Sequence, residues 1–198
     1  MSAALGNEII SCLGKEIPKY DLVITGDFGH GFINSGIRRK IEEKSKFLAL
    51  NVQTNSSNFG HHPFTLYRKF DFLSMNMQEL ALALHEEHKD AKEMIRKCCK
   101  KLKINNFLVT LGKNGCTYVK NGIMINAPIL TSSVKDTVGA GDAVFSVISL
   151  FVYLNAEKEL IPFIASCAGG IGVNIMGNKE SITKKKLLDF IKKTLKEK

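Results

Sequence analysis

Gly139-Ala140-Gly141-Asp142 lies inside "SSVKDTVGAGDAVFS", directly before an apolar run of helical character. Glycines let a backbone turn sharply and approach a ligand closely. The first turn of a helix carries N–H groups without intrahelical partners and a partial positive charge. Together they form a cradle for an anion, phosphate above all. Such donors act most strongly where negative charge grows during a reaction. Asp142, a carboxylate in that first turn, can accept a proton. A proton acceptor beside a phosphate cradle is what phosphoryl transfer to a hydroxyl requires. Taken alone, the tetrapeptide is equally a glycine turn followed by an acid, and both readings stand.

Two other nucleotide signatures are excluded. The phosphate loop G-x-x-x-x-G-K-[ST] is approached only by "GVNIMGNK" (Gly172–Lys179). There Asn178 separates glycine from lysine, and the segment ends a helical pattern instead of opening one. No G-x-G-x-x-G follows a predicted strand, so a dinucleotide fold is unsupported. "HEEH" (His85–His88) lacks the i, i+4 histidines of a zinc protease helix and reads as a polar helix end. Gly60-His61-His62 could touch a phosphate or a metal, or be a solvated loop. The cysteines Cys12, Cys98, Cys99, Cys116 and Cys167 are odd in number and match no metal or redox spacing. They read as reduced thiols acting as small apolar residues.

The elements that must position these groups alternate along the chain. "DLVIT" (21–25), "KFLALNV" (46–52), "DFLSM" (71–75) and "NFLVTL" (106–111) are continuous apolar runs, as expected of strands covered on both faces. Helical patterns fall at about 34–45, 77–85 and 89–103. This β-α-β-α order implies an α/β fold, a mostly parallel sheet between layers of helices. "CTYVKNGIMINA" then carries Asn121-Gly122 between alternating stretches, a β-hairpin signal. Helices are expected at about 139–155, 158–174 and 183–197, and one domain over 1–198 is the economical reading. The polar loops "GDFGHG" (26–31) and "NVQTNSSNFGHHPFTLY" (51–67) both follow strand ends, where open α/β sheets hold ligands.

Composition narrows the class. With 44% apolar and 24% charged residues the chain is of ordinary globular type. It has no run long enough to span a membrane and no signal-peptide pattern at its start, so a cytoplasmic protein is expected. The net charge of +9 is concentrated in "TKKKLLDFIKKTLKEK", which holds seven lysines and two acids. Leu187, Leu188, Ile191 and Leu195 form an apolar stripe there, so this reads as a terminal helix docked by one face. No basic surface with interleaved aromatics accompanies it, which argues against nucleic acid as a partner. The positive field would help attract an anionic substrate.

In context, "DTVGAGDAVFS" resembles the C-terminal signature of the PfkB/ribokinase family of carbohydrate kinases, with Asp136, Thr137, Gly139, Ala140, Gly141 and Asp142 matching. "NMQE" (Asn76–Glu79) is similar to the family's N-x-x-E element. "VTLGKNGCTYV" resembles its T-x-G nucleotide loop, with Thr110, Gly112 and Gly115. "ASCAGGIGVNIMG" (Ala165–Gly177) resembles the late helix that borders the adenine. The likeness runs from about Asp21 to the C-terminus. "GDFGHG" and "KFLALNVQTN" are most similar to the heptose-phosphate kinase branch, which includes kinase domains fused to nucleotidyltransferases.

That resemblance implies a ribokinase-like three-layer αβα fold and ATP-dependent transfer to a hydroxyl of a sugar or sugar phosphate. It implies catalytic roles for Gly139, Ala140, Gly141 and the base Asp142. It implies nucleotide contacts by Thr110, Gly112, Gly115, Val134, Asp136, Thr137, Ala168 and Gly169. Asn76 and Glu79 would act near the phosphates and, indirectly, on Mg2+, with a monovalent cation as a further cofactor. Asp27, His30 and Asn51 would contact the sugar, although His30 stands where a lysine is common and Asn51 where an aspartate is common. Family kinases also begin with a Gly-Gly element and lid strands, which this sequence does not contain. The expectation is then weak or absent sugar kinase activity from this chain alone. The alternative is a non-catalytic nucleotide-binding fragment or subunit of a split or decayed kinase. Apolar surface left open would favour a homodimer or a complementing N-terminal fragment.

Overall fold

A helix opens the chain, and the first strands that follow it are parallel. The computed structural model describes residues 2–54, 62–86, 90–131 and 133–196, with no side chain described at 178. These fall into two compact units, Met1–Ile104 and Asn105–Lys198.

In the first unit, β1 (Val23–Asp27), β2 (Leu48–Val52) and β3 (Phe72–Asn76) run parallel, with Val23 opposite Leu48 and Ala49 opposite Phe72. Between and around them lie α1 (Ala3–Glu16), α2 (Ser35–Lys44), α3 (Met77–Leu84) and α4 (Ala91–Leu102). Asn34 caps α2, its side-chain oxygen accepting the Ile37 N–H at 3.0 Å, and this sets where the helix begins. One face of α2 then packs Ile37 and Ile41 against Ile17 and Leu48, with Ile9, Ile10 and Leu13 of α1 closing the cluster. β2 is buried at every position, as a doubly covered strand should be. β1 is not. Its burial alternates and Ile24 is 42% exposed. The expectation of two covered faces fails here: β1 pairs only with β2 within this unit, and one of its faces is open.

In the second unit, β4 (Asn106–Thr110), β5 (Cys116–Lys120) and β6 (Ile123–Ala127) form an antiparallel meander. The Asn121-Gly122 turn joins β5 to β6 with both residues at positive φ, the two-residue hairpin its sequence announces. Helices α5 (Ala140–Tyr153), α6 (Leu160–Gly172) and α7 (Lys184–Lys196) complete the unit. α6 carries small residues where neighbours come close. A Cβ on Gly172 would lie 3.3 Å from Ala140 Cα, and one on Gly170 would lie 3.0 Å from Phe190 of α7. α7 docks by one face as expected, but not by the expected stripe. Leu187, Phe190 and Ile191 turn inward, whereas Leu188 and Leu195 are exposed. The docked set follows the i, i+3, i+4 spacing that a single helix face demands.

The five cysteines are free, and three are buried. Burial pushes the Cys98 thiol up to about 12 and Cys167 to about 11, so both stay protonated and apolar at neutral pH.

Gly115, between β4 and β5, has φ +84°, and a Cβ there would fall 2.0 Å from the Ala127 carbonyl oxygen. That oxygen belongs to backbone and cannot swing aside. Gly115→Ala is expected to cost about 3 kcal/mol or more of stability. Urea unfolding checks this; a loss below about 1 kcal/mol would contradict the geometry.

Candidate active site

The N-terminus of α5 lacks the cap that most helices use. Gly139 occupies the capping position at φ 78°, ψ −4° and has no side chain to bond the first turn, while the Ala140 N–H donates to the Thr137 carbonyl at 3.3 Å. The left-handed conformation is the physical reason a glycine stands there. Gly141, two residues on, faces open space: a Cβ built on it would meet nothing within 4 Å. Asp142 follows in the first turn of the helix, half-buried.

The segment leading into this turn is held from α6. The Val173 carbonyl, at the C-terminal end of α6, accepts the N–H groups of Lys135 at 2.8 Å and Asp136 at 3.0 Å. Asp136 accepts the Val138 N–H on Oδ1 and the Gly177 N–H on Oδ2, both at 2.9 Å. These bonds, Val138's foremost, hold its carboxyl below the usual carboxylate range. Asp136 therefore acts on the site by fixing the backbone that approaches Gly139.

Beside the turn, within the second unit, lies a cavity of about 340 Å³, the size of small-ligand sites. Of the residues singled out in the sequence, Thr110, Gly112 and Gly115 line it from the β4–β5 side. Val134 and Thr137 line it from the segment after β6, Ala140 and Gly141 from α5, and Gly169 from α6. Ala168 does not. It is wholly buried, because α6 turns Ala165, Ser166, Gly169, Gly170 and Val173 to the cavity and position 168 away from it. Ile129, Thr131, Val144 and Cys116 were missed by sequence reasoning and line the cavity as well. Helical spacing from Gly169 would have found Ala165, Ser166 and Val173; nothing local marks Ile129 or Cys116. The Cys116 thiol donates to the Pro162 carbonyl at 3.4 Å, and burial raises its pKa, so it serves as wall. The walls are mostly apolar, which suits a flat heterocycle, while the uncapped helix end suits an anion.

The remaining candidates belong to the first unit. Asn76 and Glu79 form a reciprocal cap on α3: Asn76 Oδ1 accepts the Glu79 N–H and Glu79 Oε2 accepts the Asn76 N–H, each at 2.8 Å. Glu79, 6% exposed, also accepts the Thr54 N–H at 3.3 Å. The N-x-x-E spacing thus serves here as a helix cap. Asp27, 3% exposed at the end of β1, accepts the Gly29 N–H at 3.0 Å and the Tyr67 hydroxyl at 2.8 Å. His62 Nε2 also comes within 2.9 Å of it, though not aligned as a hydrogen bond. Burial, then the Asp27 charge, drives the Tyr67 hydroxyl far above its ordinary pKa, so it remains a donor. Asn51, buried on β2, donates to the Ser74 carbonyl of β3 at 2.9 Å. His30 is exposed in the turn after β1. Gly60, His61, Glu87 and His88 lie outside the described residues. Among the described residues no three His, Cys, Asp or Glu side chains gather as a metal site, and no helix is long and apolar enough to cross a membrane.

The model of the pfkB family carbohydrate kinases matches residues 39–173. The chain belongs to that family. The bifunctional protein HldE of Rhodopseudomonas palustris (strain BisA53) is 25% identical to this kinase-family chain over 180 residues, which cover 89% of it and 36% of HldE. The HldE of Campylobacter jejuni (serotype O:2) is 27% identical over 201 residues, covering 96% and 42%. The chain thus spans well under half the length of these curated relatives. Among solved structures, Arabidopsis thaliana ribokinase complexed with ribose and ATP superposes with TM-score 0.74 at 20% identity, covering 97% of this chain and 60% of that one. Escherichia coli phosphofructokinase-2 in complex with potassium gives 0.75 at 12%, covering 94% and 62%. These likenesses establish a ribokinase-like α/β fold.

Two outcomes follow from the buried and clamped carboxylates of this carbohydrate kinase family member. Because the folded-state pKa of Asp136 is depressed, the stability it contributes is present above its unfolded pKa and lost as pH falls through the folded value. The stability gap between the protein and Asp136→Asn should be widest at neutral pH and shrink toward about pH 3. Denaturant unfolding at several pH values tests this, and a constant gap contradicts it. Tyr67→Phe, which strips a donor from buried Asp27, should cost about 1–3 kcal/mol in the same assay.

Proposed function

We propose that this chain carries the nucleotide-binding and phosphoryl-transfer part of an ATP-dependent kinase acting on a sugar or sugar phosphate. The observation that carries the reading is the uncapped start of α5, with Gly141 open to the cavity and Asp142 beside it. The base and ribose of ATP would occupy the apolar cavity. The N–H groups of the Gly139–Gly141 turn would face the transferring phosphoryl oxygens, where charge is redistributed in the transition state. Asp142 would take the proton of the acceptor hydroxyl as its oxygen bonds to the γ-phosphorus. The bond from that phosphorus to the β–γ bridging oxygen breaks, and ADP leaves.

Mg2+ fits this chain only as an ion carried mainly by the nucleotide. The side-chain oxygens of Asn76 and Glu79 already accept backbone N–H groups, which leaves them a water-mediated role. When bound, the ion neutralises phosphate charge. In the first unit, His30, exposed in the turn after β1, and Asp27 and Asn51, which also hold backbone, are the candidates for the acceptor. The narrower reading, a heptose phosphate as acceptor, rests on the HldE relatives, and it remains a proposal because they are much longer than this chain.

Asp142→Asn should bind ATP within about threefold of the unaltered chain by calorimetry, while transfer to sugar phosphates falls by roughly 10²–10⁴. Near-normal turnover in that variant removes Asp142 as the base. Gly141→Ala should keep its melting temperature, since the added methyl meets nothing, and lose affinity for ATP because it stands in the anion's place.

A further inference from the structure

Asn174 lies just past the end of α6, within "ASCAGGIGVNIMG" but not among the site residues singled out from it, and is not among the residues lining the cavity. Its Nδ2 is 2.9 Å from the Gly170 carbonyl, 3.1 Å from the Ser133 carbonyl and 3.4 Å from Thr131 Oγ1. Two of these partners are backbone carbonyls, which can only accept, so the amide nitrogen must be the atom that faces them. Gly170 O belongs to the last turn of α6, where carbonyls lack helical donors. Ser133 O belongs to the irregular segment between β6 and the Gly139 turn. Two acceptors cannot bond each other, and the NH2 group, with its two hydrogens, joins them. Thr131 is pressed onto the same spot, its Cβ 3.6 Å from where a Cβ on Gly170 would lie.

The fastened segment is a wall of the cavity. Thr131 and Val134 both line it, and neither belongs to a helix or strand that would fix it. Val134 is 53% exposed, so packing does little to hold it. The bonds of Val173 and Asp136 take hold of residues 135–138, nearer the glycine turn. Asn174 takes hold of Thr131 and Ser133.

We infer that Asn174 is a positioning residue for the nucleoside, fixing the Thr131–Val134 wall through its amide hydrogens; this rests on reading the cavity as the nucleotide site. It acts through the wall and touches no reacting atom. Its work is separable from that of the glycine turn, which faces the phosphates.

The test is calorimetric binding of adenosine and of ADP to the full chain and its variants, with circular dichroism to verify folding. Asn174→Ala should weaken both ligands by about the same factor, roughly tenfold, because both use the nucleoside wall. Gly141→Ala should weaken ADP by a larger factor than adenosine. Asn174→Asp keeps the shape but replaces the donors with a charged acceptor facing two carbonyls, which can only accept, and the Thr131 hydroxyl. It should lose at least as much affinity as Asn174→Ala. If Asn174 only filled space, the order would reverse, with the isosteric aspartate mild and alanine severe, and the inference would fall. It would also fall if ADP weakened and adenosine did not, or if a folded Asn174→Ala bound both normally. An unaltered chain that binds neither ligand would overturn the nucleotide reading itself. An unaltered chain that binds both, with variants indistinguishable from it, would overturn only the role of Asn174.

Discussion

A helix that offers its first N–H groups to a ligand cannot spend them on a cap of its own. In the second unit, α5 begins without a side-chain cap. Gly139 replaces the usual capping side chain by a left-handed turn, and the preceding backbone is held from outside. The support comes from the C-terminal end of α6, which has the opposite deficit: carbonyls in need of donors. Val173 receives the N–H groups of Lys135 and Asp136, and Gly170 receives the amide of Asn174. One helix end thus supplies acceptors to the strand of backbone that frees the donors of another. The close approach this needs is why α6 is built from Gly and Ala along that side.

The first unit handles burial of charge by the same means. Asp27 and Glu79 are nearly inaccessible carboxyl groups; the Gly29 N–H and the Tyr67 hydroxyl meet Asp27, and the Thr54 and Asn76 N–H groups meet Glu79. Hydrogen bonds to an ionised oxygen are stronger than neutral ones and offset much of the desolvation cost. The consequence is local order: Asp27 pins the Gly29 turn and Tyr67 onto the end of β1, and Glu79 pins Thr54 onto the start of α3. Arg38 lies over the Tyr67 ring at 5.4 Å and adds a contact from α2.

Much of this was legible in the sequence, because period and turn chemistry are local properties. The apolar runs gave the strands to within about two residues, and Asn121-Gly122 gave the hairpin. The glycine turn before α5 was legible because few residue orders suit an open helix end. What stayed hidden depends on contacts between distant segments. The open face of β1 could not be read from "DLVIT", since a continuous apolar run looks alike on a covered and a half-covered strand. Leu188 and Leu195 were assigned to the docked face because hydrophobicity cannot say which of two adjacent stripes finds a neighbour. Asn174 and Cys116 carry no local mark; apart from Gly170, four residues before Asn174, their partners are 41 to 50 residues away. Asn76 and Glu79 were visible as a motif, but their capping geometry appears only with the backbone.

Parallel and antiparallel strand pairing also differ in what they ask of the chain while it is still forming. In the antiparallel meander, Lys120 faces Ile123 across a two-residue turn, and α-carbon partners further out are drawn together in sequence. Among the parallel strands, Val23 must find Leu48 and Ala49 must find Phe72, each across a long crossover. Closing a long loop costs more entropy before any contact repays it, and non-local pairing is correspondingly slow. Kinetically, the hairpin that walls the cavity is the inexpensive part of this molecule, and the registry of β1 on β2 is the step that waits.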